Sequence, residues 1–213
     1  MTQEKSYVQY GCGLSAPEEW KNFDVSPTLR IQKTPIIGKV LRGQLNVVFP
    51  DNVFYGDIIK GLPVADNSCD GAYCSHTLEH LSLADFRMAL QNTYRILKPG
   101  GIFRCVVPDL EVLAKRYIKD LDKGEKEASI SFIRNTLLGV PQRSRGFKGL
   151  LKSAFGNAHH LWMWDHTSLA LELEKVGFKD IRKCEFNDSK DEMFKLVEDK
   201  DRFVNAACIE CYK

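Results

Sequence analysis

No stretch of this 213-residue sequence approaches the roughly 18 consecutive apolar residues of a membrane-spanning helix. The opening residues Met1-Thr-Gln-Glu-Lys-Ser6 contain no apolar signal core. Charge of one sign is lacking too. Thirty basic residues against 28 acidic ones leave a net charge of +2, too little to direct the chain to nucleic acid or a membrane surface. Nor is there a disulfide framework, because the seven cysteines are odd in number and scattered. Cys12, Cys69, Cys74 and Cys105 sit in or beside apolar stretches, where a thiol packs as a small hydrophobe. These absences lead to the expectation of a reduced, cytoplasmic protein with no membrane span and no nucleic-acid partner.

What the sequence does have is an alternation of strand-like and helix-like segments, without an internal repeat or a low-complexity tail. Tyr7-Val-Gln-Tyr10 is a short strand ending in Gly11-Cys-Gly13, and Asn22-Phe-Asp24 and Val53-Phe-Tyr55 are further short apolar stretches. Cys69-Asp-Gly-Ala-Tyr-Cys74 resembles a buried strand. Ser82, with Asp85 three residues on, opens a helix whose apolar face is Phe86, Leu90, Tyr94 and Leu97. Lys98-Pro-Gly-Gly101 stops it, and Ile102 to Val107 is the next strand. Two helical faces follow, on Leu110, Leu113, Ala114, Tyr117 and Leu121, then on Ile130, Ile133 and Leu137. A final helix carries Leu169, Leu173 and Val176 and stops at Gly177, and strands are expected over 181–186 and 203–211. The pattern predicts one α/β domain over 1–213. Its sheet is a doubly wound, mostly parallel, seven-stranded Rossmann-like sheet with helices on both faces. Residues 109–160 form a helical and loop insertion after the fifth strand.

The glycine turn indicates a ligand. Glycine lets backbone approach a bound group because no Cβ intervenes, and a carboxylate ending the next strand can accept from ribose hydroxyls. Asp24 and Asp57 are such carboxylates, so a nucleoside is expected across the carboxyl ends of the sheet. A dinucleotide fingerprint would be Gly-x-Gly-x-x-Gly with an acidic residue about 20 positions later. Here Asp24 follows Gly13 by only 11 positions, which abbreviates the first crossover and removes the helix N-terminus on which a pyrophosphate sits. A cofactor without phosphates fits better than NAD.

Several runs, in order from residue 7 to about 186, carry a family resemblance. They are the Gly-Cys-Gly turn, Trp20-Lys-Asn-Phe-Asp-Val-Ser-Pro27, Gly56-Asp57-Ile58 and Leu62-Pro63 with Asp66 and Asp70. Ser75-His-Thr-Leu-Glu-His-Leu81, Arg95-Ile-Leu-Lys-Pro-Gly-Gly101, His160-Leu-Trp-Met-Trp164 and Leu173-Glu-Lys-Val-Gly-Phe178 complete them. On these the chain resembles the class I S-adenosylmethionine-dependent methyltransferases. The resemblance implies S-adenosylmethionine as cofactor. Gly11 and Gly13, with Tyr10 and Cys12, would lie against its methionine part. Asp24 would accept from both ribose hydroxyls, Asp57 would hold the adenine amino group with Ile58 packed nearby, and Ser75 and His76 would line the site beside the sulfonium. The acceptor is expected to be a small molecule, sugar-like or anionic. His76, His80 and His160 are the candidates to take its proton.

Other readings of the same residues compete. His76-Thr-Leu-Glu79-His80 also matches the His-x-x-Glu-His zinc hydrolase motif, but that motif needs a regular helix, and His76 directly follows a strand. Cys208-Ile-Glu-Cys211 has metal-like spacing without a second pair, and in a strand its thiols point to opposite faces. The expectation is therefore a site without metal. His159, His160 and the Trp162–Trp164 run are either packing or acceptor-pocket wall. Arg143, Arg145, Lys148 and Lys152 are either a solvated loop or a hold on an anionic acceptor. A catalytically inactive binding module of this fold and an NAD-linked oxidoreductase are the remaining alternatives.

Overall fold

The computed structural model describes residues 5–35, 47–142 and 159–213. Strands β1 (Tyr7–Tyr10), β2 (Trp20–Asp24), β3 (Val53–Tyr55), β4 (Cys69–Ser75), β5 (Leu97–Pro108), β6 (Lys179–Lys183) and β7 (Ala206–Tyr212) form one sheet. Its order is β3-β2-β1-β4-β5-β7-β6. The pairs from β3 to β5 are parallel, and β7 alone runs against both its neighbours. The sheet is thus mixed, with six strands in one direction and β7 reversed. The direction of winding changes between β1 and β4, the place where open α/β sheets bind ligands.

Helix α1 (Pro27–Gln32) begins on a proline, whose missing N–H costs nothing there. Helix α2 (Leu83–Ile96) starts at Ser82, whose hydroxyl accepts from the Asp85 amide at 3.2 Å. It buries Phe86, Ala89, Leu90, Thr93 and Ile96, each large apolar side chain contributing about 1.5–3 kcal/mol. The chain passes straight from α2 into β5 at Leu97, so Lys98 to Gly101 belongs to the strand rather than to a loop before it. Gly101 makes this possible, since a Cβ there would lie 2.9 Å from the Lys98 carbonyl and 3.0 Å from that of Cys69. Helices α3 (Leu110–Asp122) and α4 (Ala128–Asn135) follow β5, and α5 (His166–Val176) precedes β6. Gly177 ends α5 at φ +111°, and its amide donates to the Leu173 and Glu174 carbonyls.

Alternation along the strands gives two core faces. Val8, Tyr10, Phe103, Cys105, Ile209 and Cys211 pack with α2 and α5. Tyr7, Trp20, Tyr73, Val106 and Cys208 pack on the other face against Phe194 and Val197. Helices lie on both faces, as expected, since α1 packs Leu29 on Val53 on this second face, but over Tyr7 and Trp20 the cover is made by 3-10 turns, Glu192–Leu196 and Lys200–Phe203. Their frequent acidic residues cap turns instead: Asp191 accepts from the Met193 amide and Asp199 from the Asp201 amide. Cys208 and Cys211 do fall on opposite faces, and all seven cysteines are free.

The α2–α5 contact carries a bidentate ion pair, Arg87 Nε and Nη2 donating to Glu172 at 2.7 and 2.9 Å. Arg87 first, then Lys175, hold the Glu172 carboxyl at about 2, below the ordinary glutamate value. Its stabilisation is complete above the unfolded carboxylate value of about 4.3 and is lost as pH falls from there toward about 2. Glu172→Gln should therefore narrow the stability difference between about pH 6 and about pH 3. Urea denaturation at both values checks it, and an unchanged difference would remove Glu172 from the acid response.

Candidate functional site

β1 ends in a turn that needs its glycines for different reasons. Gly11 (φ +63°) packs against the loop after β4 so closely that a Cβ would lie 2.1 Å from Thr77 Oγ1. Gly13 (φ +56°) has nothing within 4 Å of where its Cβ would be, which leaves open approach to the backbone. No helix forms between β1 and β2, as the short spacing to Asp24 predicted. Asp24 fastens this turn: its carboxylate accepts from the Gly13 amide at 3.0 Å and the Ser26 amide at 2.7 Å. The Cys12 thiol is pushed up to about 12 by burial and then by the Asp24 charge, so it is a neutral group rather than a nucleophile.

The loop after β3 lies alongside. The Gly56 amide donates to the Asp24 carbonyl at 3.1 Å. Asp57 accepts from the Ile59 amide at 3.0 Å and pairs with Lys60 Nζ at 3.2 Å. Asn92 of α2 pins the loop by donating to the Ile58 and Ile59 carbonyls at 2.8 and 3.0 Å. The side chains of Ile58 and Tyr10 are both buried in the α2-side core, and the Tyr10 hydroxyl is paired with Thr93.

Ser75 ends β4, and His76 turns the chain at φ +50°, its amide held by the Val106 carbonyl at 2.8 Å. Leu78–His80 is a single 3-10 turn, so the regular helix of a His-x-x-Glu-His hydrolase is absent here. His76 Nε2 lies 2.9 Å from the Arg202 carbonyl and must donate to it, and Nδ1 lies 3.5 Å from Glu79 Oε1. Burial lowers the His76 pKa, but the Glu79 carboxylate and the Arg202 carbonyl outweigh it and leave the imidazole raised.

The segment 159–164 returns to the same place. Leu161 and Trp162 amides both donate to the Glu79 carbonyl, at 2.8 and 3.1 Å. Trp164 is core, stacked on Phe86 at 4.1 Å between centroids, while Leu161 and Trp162 stay exposed. The packing reading of this run holds for His160, Met163 and Trp164, which are buried. His160 is buried, 5.1 Å from the His80 ring, and burial pulls its pKa below the ordinary value. One donor atom each of Glu79, His80 and His160 lies within 4.8 Å of the others. The sequence singled out both histidines but not Glu79 as their partner, and it gave no reason to join residue 160 to residue 79. Arg143, Arg145, Lys148 and Lys152 lie outside the described residues.

Residues 38–105, about a third of the chain, match the family described as Methyltransferase domain. Over that third the chain is similar to methyltransferase domains. Probable methyltransferase ltbC of Aspergillus luteorubrus is 44% identical over 48 residues, which is 22% of this chain and 17% of that one. The chain thus spans under a fifth of that relative's length. Among solved structures, a Haemonchus contortus phosphoethanolamine N-methyltransferase 2 bound to phosphomonomethylethanolamine and S-adenosylhomocysteine superposes with TM-score 0.50 at 12% identity. That superposition takes in all of this chain and 49% of the other. A Rhodobacter sphaeroides protein named as a zinc-dependent alcohol dehydrogenase gives TM-score 0.50 at 11% identity, over 98% and 84% of the two chains. At such identities the likeness is one of fold. In this fold the glycine turn, Asp24 and Asp57 lie at the carboxyl ends of β1 to β3, with the Glu79–His80–His160 group beyond β4. Among the described residues no helix is long and apolar enough to cross a membrane.

Proposed function

We propose that the protein transfers a methyl group from S-adenosylmethionine to a small-molecule acceptor, sugar-like or anionic. The observation that carries this reading is the turn at Gly11 and Gly13. It is open at Gly13, fastened by Asp24, and without the helix that a pyrophosphate would use. Those residues suit a nucleoside cofactor. Asp24 would take the ribose hydroxyls, its two oxygens keeping lone pairs beyond those given to Gly13 and Ser26. Asp57 would take the adenine amino group, and the amides of the turn, with Ser75 and His76, would border the methionine part. When bound, the cofactor supplies an already activated methyl group. The chain's own task is to orient the acceptor and exclude water. Segment 109–160 would cover that acceptor, since α3 starts where β5 ends and Trp162 is exposed nearby.

Calorimetric titration with S-adenosylhomocysteine and with NAD, followed by product identification over a panel of hydroxyl and amine acceptors, tests the proposal. Binding of S-adenosylhomocysteine alone, with methylated product, is the expected result. Cofactor binding with no product across the panel would favour the inactive binding module, and preferential NAD binding would favour the oxidoreductase.

A further inference from the structure

Beside the glycine turn, two segments far apart in sequence assemble a second set of chemical groups. Glu79 is 1% exposed, and neither of its carboxylate oxygens accepts a hydrogen bond. Its ion-pair partner is His76, whose Nδ1 stands at 3.5 Å, a long contact that leaves the buried carboxylate without a close donor. His80 and His160 stand close to it. His80 Nδ1 lies 3.1 Å from the His159 carbonyl, which only accepts, so Nδ1 carries the proton and Nε2 keeps its lone pair. His160 Nδ1 lies 3.3 Å from the Met163 sulfur, a weak acceptor, which holds that edge of the ring. Fixing one ring nitrogen by a hydrogen bond is how proteins aim the other at a metal.

We propose that Glu79, His80 and His160 bind a divalent transition-metal ion of the zinc class, leaving coordination positions open to the acceptor. Two imidazoles and a carboxylate suit zinc and its first-row neighbours; magnesium and calcium favour all-oxygen sites. Three protein ligands are the number found where a metal keeps a position for water or substrate. The ligand set differs from that of the His-x-x-Glu-His motif, because His76 is turned to Arg202 and is replaced by the histidine that ends the insertion. The open position has a use that rests on the methyltransferase reading. A hydroxyl of the acceptor held there loses its proton to solvent more readily. The resulting oxygen lone pair then forms the new C–O bond as the methyl–sulfur bond breaks, its electron pair leaving with the sulfur.

The test is a titration of the chelator-treated full chain with Co(II), without cofactor. The expected result is one equivalent bound, with visible d–d absorption and no thiolate charge-transfer band. Glu79→Gln and His80→Asn, each with native circular dichroism, should weaken binding at least tenfold. Failure to bind one equivalent, binding unchanged in both variants, or a thiolate band showing the cysteines as ligands would each overturn the site. S-adenosylhomocysteine titrated into the same preparation separates the two readings. Metal bound without cofactor affinity keeps this site and sinks the transferase reading; cofactor affinity without metal does the reverse.

Discussion

Arg104→Met should cost about 3–5 kcal/mol of folding stability, the range for stripping one partner from a buried ion pair. Arg104 lies in the middle of β5 with its side chain 1% exposed. Nη1 donates to Glu210 at 2.7 Å and Asp188 at 3.0 Å, Nε to Glu198 at 2.7 Å, and Nη2 to the Glu185 carbonyl at 3.0 Å. Glu198 and Glu210 are themselves buried, with side-chain exposures of 0% and 1%. Removing the guanidinium leaves both buried carboxylates without it, and Arg182 pairs with Glu210 and Asp188 but not with Glu198. Burial raises Glu198 above its ordinary value even with Arg104 present, so it is the group that would protonate. Urea denaturation at neutral pH measures the loss. Adding Glu198→Gln should recover part of it, because the uncompensated charge and not the missing packing is the main penalty. A loss under about 1 kcal/mol would mean that the network relaxes into solvent.

Asp24→Ala should lower affinity for S-adenosylhomocysteine at least tenfold. A carboxylate accepting two ribose hydroxyls makes two charge-assisted bonds of roughly 1.5–3 kcal/mol each, and about 1.4 kcal/mol is already a factor of ten. The structure adds a second route to the same loss, because Asp24 also fastens the turn through the Gly13 and Ser26 amides. Asp24→Asn separates the two. It keeps a carbonyl oxygen for one amide but replaces the other acceptor with a donor, so an affinity loss nearly as large as with alanine is expected. The check is calorimetry on both variants with thermal denaturation alongside. Unchanged affinity in a folded alanine variant would take the ribose role away from Asp24.

Much of the scaffold was legible because it is encoded locally. The Ser82 cap, the Gly177 stop, the helix-free first crossover and the opposite facing of Cys208 and Cys211 each depend on a few adjacent residues. What the sequence hid was non-local. Arg104 sits directly opposite Glu210 across the antiparallel β5–β7 pair. The available signal was one charge of each sign inside two apolar strands, and it could be read only once those strands were known to be neighbours. The meeting of Glu79 with His160 needs a segment to return over the sheet after an insertion, which no periodicity encodes. The short 3-10 cover over Tyr7 and Trp20 was missed for another reason: its residues are too polar and too few per turn to give a helical face.

The packing of the thiols gives the molecule its own opening gauge. Six of the seven cysteines are buried and Cys12 is partly so, none of them bonded to another. Alkylation of each buried thiol must then wait for the strand or segment that holds it to part from its neighbours. Cys74, Cys105 and Cys211 report on the α2 side of the sheet, and Cys184 and Cys208 on the side closed by the Arg104 network. Labelling rates followed one cysteine at a time would measure which face of the protein breathes first.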